Sequence, residues 1–126
     1  MTVTEGSQGR AELTVTDADT AIALGSGDVP VLATPRVLAL AEAATVTAAA
    51  PALGPGETSV GTRVELNHLA ATPVGRSVVA RATLTRVDGR RLEFEVSVHD
   101  DDTLVAHGRV ERTVVDRQRF LDRLAG

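Results

Sequence analysis

At 126 residues and 13.1 kDa the chain is sized for one domain, and 43% apolar with 24% charged residues fits a globular fold. A net charge of −4 and a pI near 5.3 argue against duplex nucleic acid, whose phosphates call for a basic surface; two Phe with no Tyr or Trp leave no stacking platform for single strands. The absence of Cys and Lys excludes disulfides, thiolate metal sites, a cysteine nucleophile and lysine chemistry.

The opening MTVTEGSQGR has neither a basic n-region nor an apolar h-region, and no apolar run is long enough to span a bilayer. A cytoplasmic protein without a membrane partner is expected. Residues 1–10 are polar and contain Gly, which predicts a loose terminus ahead of a single domain over 11–126. Ala11, Leu13 and Val15 alternate with Glu12, Thr14 and Thr16, the pattern of a half-buried strand. Asp17 to Pro30 reads as irregular chain with a short strand over 21–23, and the Gly-Ser-Gly at 25–27 as a mobile loop rather than a phosphate cradle.

Thr34 to Ala49 is the one long helical segment. Thr34 is expected as its N-cap and Pro35 at its first position, with Pro51 and Gly54-Pro55-Gly56 ending it. Between Val37 and Ala50 its only charge is Glu42, so the helix should be surrounded by protein. Alternating strands follow. Val60, Thr62, Val64, Leu66 and His68 share one face; Val78, Ala80, Ala82 and Leu84 another; Asp88-Gly89 marks a tight hairpin. Leu92, Phe94, Val96 and Val98 then alternate with polar residues. After a turn at His99–Asp102, Leu104, Ala106, Gly108 and Val110 share a face. The tail from Asp116 suits a short amphipathic helix.

One sheet face is apolar and the other polar, and one long helix is available to cover the apolar face. This is an α+β architecture, a long antiparallel sheet wrapped around one central helix: the hotdog fold. Its sheet has edges, which invite pairing with a second copy, so at least a homodimer is expected.

Three charged or polar groups fall in phase with apolar neighbours. Glu42 stands one turn from Leu38 and one from Val46, His68 follows Val64 and Leu66, and Arg112 continues the series ending in Val110. Buried ionisable groups must be paired, neutralised or in contact with a polar cavity. The alternative, a structural polar cluster, is weakest for Glu42, which has no basic residue at helical spacing. His99 with Asp100, Asp101 and Asp102 lacks metal-ligand spacing and reads as a solvated turn, so no metal is expected.

The segments VLATPRVLALAEAA (31–44), TSVGTRVELNHLAATPVG (58–75), VDGRRLEFEVSVHD (87–100) and GRVERTVV (108–115) resemble, in order and spacing, the hotdog thioesterase family of the fluoroacetyl-CoA thioesterase type. The resemblance implies an acyl-CoA thioesterase, with coenzyme A entering as part of the substrate and no other cofactor. It assigns catalytic roles to Thr34, Glu42 and His68, and places Gly61 and Arg112 at the substrate. Thioester hydrolysis needs a nucleophile or activated water, a base, and donors for the oxyanion, and these residue types supply them. The fluoroacetyl-specific relative carries Phe residues ahead of the catalytic Thr. Here TAIALGSGDVPVLATP has no aromatic residue, which implies a more open pocket for a small or medium acyl group. A non-catalytic module of the same fold, binding an acyl-CoA or another apolar carboxylic ligand, is the alternative reading.

Overall fold

The computed structural model describes residues 5–126. Five strands, β1 (Gln8–Thr14), β2 (Glu57–His68), β3 (Ser77–Asp88), β4 (Arg91–Asp100) and β5 (Thr103–Asp116), form one antiparallel sheet in the order β1-β3-β4-β5-β2. Helix α2 (Thr34–Ala49) crosses its inner face; α1 (Ala21–Leu24) precedes it and α3 (Arg117–Ala125) closes the chain. The curled antiparallel sheet around a central helix is the hotdog architecture.

The inner faces of β3 and β4 follow the expected period of two. Val78, Ala80, Ala82, Leu84, Leu92, Phe94 and Val98 are buried against Val37, Leu40, Ala41, Ala44 and Ala48 of α2. Alanines along the helix let it sit close to the sheet. A side chain at Gly9 would run into the Ala44 carbonyl and the Ala48 amide. The outer face is charged: Glu93 and Glu111 stand opposite each other, and Arg86 and Arg63 flank them in cross-strand register on either side.

Several expectations are corrected. The sheet begins at Gln8 rather than Ala11: Gln8, Gly9 and Arg10 pair with Thr83, Ala82 and Arg81. Just before it, the Leu84 amide donates to the Ser7 carbonyl at 2.8 Å and the Ser7 hydroxyl to the Ala48 carbonyl at 2.9 Å. Polar composition therefore did not mean a loose chain from residue 5 onward; residues 1–4 lie outside the described range. The segment 21–23 is helix, because the Thr20 hydroxyl accepts from the Ala23 amide and Gly25 takes the left-handed cap conformation, φ 70°. The central helix is not enclosed on every side, since the sheet covers only one of its faces. Val46 is half exposed, and Ala39 and Ala43 are open as well.

The strand register slips at three places, one of them in β3 between Leu84 and Arg86. Between Gly61 and Arg63 the register of β2 slips, so Gly61 and Ser59 lie opposite the inward-facing Arg112 and Val114, while Val60 lies opposite Thr113 on the outer side. The shared face expected from Val60 and Thr62 through His68 therefore holds only from Val64 onward. The slip at Val98–His99 turns Leu104 outward and buries Val105.

The loop before α2 is pinned by Asp19. One carboxylate oxygen accepts from the Thr16 amide at 2.8 Å and the Thr16 hydroxyl at 2.9 Å, and the other from Arg36 Nε at 3.1 Å. The Thr16 amide is the main reason the carboxyl is held below its ordinary range. Burial opposes the shift, and the Thr16 hydroxyl and Arg36 reinforce it. Such a lowered group stabilises the fold fully above about pH 4, and the contribution is lost as pH falls through the folded-state value. Asp19→Asn is expected to cost about 1–3 kcal/mol in urea unfolding at pH 7, with the difference from wild type shrinking below pH 4. An undiminished difference at low pH would assign the effect to packing instead.

Candidate active site

Thr34 does not cap its helix. Ala33 holds the cap position with extended backbone (φ −71°, ψ 141°), Thr34 is the first helical residue and Pro35 the second. The Thr34 hydroxyl is thereby free to face β2, where Oγ1 lies 2.8 Å from His68 Nδ1. His68 ends β2 opposite Ala106. Its other ring nitrogen, Nε2, is buried without a hydrogen-bond partner among the described residues. Buried polar atoms are rarely left so unless a ligand or water completes them. Beside this pair opens a cavity of about 270 Å³ lined by Ala21, Val31, Ala33, Leu69 and Ala71 together with Thr34 and His68. Asp19 and Arg36 brace the chain on either side of Thr34.

Glu42 belongs to a second cluster. Two turns along α2, its Oε2 lies 3.5 Å from Arg112 Nη1. The Arg112 side chain is 7% exposed and that of Glu42 36%, so the arginine is much the more desolvated of the pair. Arg112 Nε donates to the Ser59 hydroxyl at 2.9 Å and Nη2 to the Ser59 carbonyl at 3.1 Å. Burial pushes the Arg112 guanidinium below its ordinary range and the Glu42 carboxylate partly restores it; it stays cationic. Gly61 lies directly opposite Arg112, and a Cβ there would collide with Glu42 Oε2. The glycine leaves the carboxylate's approach to the strand open.

Glu42, His68 and Arg112 thus face the inner side, as their phase predicts, with Glu42 and Arg112 paired across elements distant in sequence; Gly61 joins them only through the bulge, since its phase with Val60 and Thr62 placed it on the opposite face. Ser59 escaped the sequence reading because the bulge hides its phase; it lies two residues before Gly61, the spacing that would have revealed it had the slip been known. The three residues Thr34, Glu42 and His68 do not converge within one chain. Eight helical residues separate Thr34 from Glu42, about 12 Å of axis, and the contacts of Glu42 are to Arg112 and Gly61 rather than His68. The wider hollows of the surface, about 450 and 870 Å³, lie over the charged outer face and contain none of these residues. Among the described residues no group of three His, Asp or Glu could hold a metal ion, and no helix is long and apolar enough to cross a membrane.

Residues 15–118 match the family described as FlK, fluoroacetyl-CoA-specific thioesterase. The chain is 44% identical over 90 residues to the fluoroacetyl-CoA thioesterase of Streptantibioticus cattleyicolor, a region covering 71% of this chain and 65% of that relative. A crystal structure of a single-site variant of FlK in complex with acetyl-CoA superposes with a TM-score of 0.91 at 33% identity, covering 98% of this chain and 97% of that one. A thioesterase superfamily member from Thermus thermophilus superposes with a TM-score of 0.91 at 25% identity, covering 98% and 92%.

Proposed function

The chain belongs to the FlK family of fluoroacetyl-CoA-specific thioesterases, and from that premise we propose that it is a cytoplasmic acyl-CoA thioesterase. The observation that carries the site reading is the Thr34–His68 hydrogen bond at 2.8 Å beside a cavity, with Nε2 unpartnered among the described residues. Glu42 acts as the base that takes a proton from the attacking water. The water oxygen bonds to the thioester carbon, the C–S bond breaks, and the departing thiolate takes up the proton that Glu42 removed from water, relayed through His68, so both groups return to their starting state. The Thr34 hydroxyl orients the imidazole, Gly61 lets the carbonyl approach Glu42, and Arg112 holds the carboxylate in place. Side chains alone supply this chemistry, with coenzyme A as part of the substrate.

Reacting groups must stand about 3–3.5 Å apart, and the 12 Å between Thr34 and Glu42 is far more than that. A homodimer resolves the gap. The unpaired edge of β2 and the open Ala39, Ala43 and Val46 stripe support pairing with a second copy, so that Glu42 of one chain serves the Thr34–His68 pair of the other. Mixing Glu42→Ala and His68→Ala chains, each inactive alone, is then expected to restore about a quarter of wild-type activity: half the dimers are mixed, each with one intact site. No restoration after verified subunit exchange would place each site within one chain.

The cavity is lined by small aliphatic side chains together with the hydroxyls of Ser26 and Thr34 and the imidazole of His68, and no carboxylate or guanidinium enters it, which suits an uncharged acyl group of small or medium size. The direct test is coenzyme A release from a panel running from acetyl to octanoyl with one aromatic member. Turnover rising from acetyl toward the medium chains is expected. No turnover on any member by folded protein would overturn the thioesterase reading in favour of a binding module.

A further inference from the structure

Among the described residues Arg112 is the only buried arginine. A guanidinium carries a rigid fork of N–H donors and no acceptor, and once buried it must have those donors met. Which edge of the fork meets which acceptor therefore decides what the group does. Here Ser59 takes one edge whole: Arg112 Nε donates to its hydroxyl at 2.9 Å and Nη2 to its carbonyl at 3.1 Å. Only Nη1 is left for Glu42, at 3.5 Å from Oε2.

That last contact is long for an ion pair. Charge-assisted N–H to carboxylate bonds close to about 2.7–2.9 Å, and an arginine whose edge is free meets a carboxylate with two parallel bonds. No side chain at Gly61 holds the pair apart, although a Cβ there would lie beside both Glu42 Oε2 and Arg112 Nη1. Glu42 is itself only half-buried and free to approach. The separation is set from the other side, by the grip of Ser59 on the guanidinium. The bulge of β2 is what brings Ser59 there, opposite Val114 and two residues along from Arg112. The consequence is chemical. A carboxylate gripped by two N–H bonds has its charged form stabilised and is a weaker base, whereas one loose contact orients it and leaves its lone pairs for water.

We propose that Ser59 is a positioning residue: by holding the Nε edge of Arg112 it stops the guanidinium from closing on Glu42 as a two-bonded ion pair, and so leaves the carboxylate free to take the proton of the attacking water. The catalytic part of this rests on the thioesterase reading; the grip on Arg112 rests on the geometry alone. Ser59→Thr and Ser59→Val share one shape, suit a strand and differ in the hydroxyl. With Ser59→Thr, kcat is expected to stay close to wild type. With Ser59→Val it should fall about ten- to a hundredfold, the scale for misplacing a reacting group by about 1 Å, at unchanged KM. Ser59→Ala, which adds no bulk, should show the same loss. In the double variant Ser59→Val/Glu42→Gln the loss should be that of Glu42→Gln alone, because the group through which Ser59 acts is gone. Equal kcat for Ser59→Thr and Ser59→Val overturns the proposal. So does a Ser59→Val loss of the same factor with and without Glu42→Gln, which would make Ser59 a structural residue.

A second measurement needs no turnover. The proton–nitrogen NMR signal of the Arg112 Nε–H is expected to keep its wild-type position in Ser59→Thr and to move in Ser59→Val. A signal unmoved by Ser59→Val would show that the hydroxyl is not its partner and overturn the proposal at its root. If the signal behaves as expected while wild-type protein hydrolyses no acyl-CoA, the thioesterase reading falls and the grip of Ser59 on Arg112 stands.

Discussion

Glu42→Gln is expected to lower kcat for acyl-CoA hydrolysis by about 10²–10⁴-fold, the usual range for loss of a general base. The amide keeps the shape of the side chain and can still accept from Arg112 Nη1, now 3.5 Å from the carboxylate, but it cannot take a proton from water. KM should move little, because glutamine conserves the size and polarity of the side chain that faces the substrate. The stability cost should be small, since Arg112 keeps its two bonds to Ser59. Single-turnover thiol release with a parallel thermal melt measures both quantities. A variant that retains a tenth of wild-type kcat would remove Glu42 from the chemistry and leave it a structural partner of Arg112.

Gly108→Ala is expected to be the most damaging single methyl in the chain. Gly108 is paired with Leu66 on one side and Val96 on the other, and a Cβ there would collide with the backbone carbonyl of Glu65 and crowd the Leu66 Cα. The obstacle is main chain, which has no rotamer to yield, so β2 must move off β5. That would carry His68 and Gly61 with it. Overpacking of this kind costs about 3 kcal/mol or more, which for a domain of this size lowers Tm by roughly 10 °C or more. Gly61→Ala makes the informative contrast. There the Cβ meets the end of the Glu42 side chain, which can rotate away, so activity should fall while Tm changes little. Equal melting temperatures for Gly108→Ala and wild type would mean that β2 crosses β5 less closely than described.

Much of the architecture could be read from residue order. The bounds Thr34–Ala49 of the central helix follow from Pro35 and Pro51, and the inner faces of β3 and β4 from strict alternation. Glu42, His68 and Arg112 stood out because each interrupts an apolar stripe. Thr34 shows the opposite case. Its residue type and position are those of an N-cap, and only the placement of His68 at the end of a strand thirty-four residues later draws its hydroxyl elsewhere.

By itself the sequence determined which way the side chains point, because helical and strand periods are properties of each segment and record burial directly. The tertiary structure alone decided which of those side chains meet. Register, curl and the bulge after Gly61 depend on contacts between segments distant in the chain, and one slipped residue exchanges the two faces of a strand. That slip puts Ser59 and Gly61 beside Arg112 and Glu42 in place of Val60 and Thr62. The length of α2 likewise keeps Glu42 two turns from the Thr34–His68 pair, a separation that no local pattern encodes.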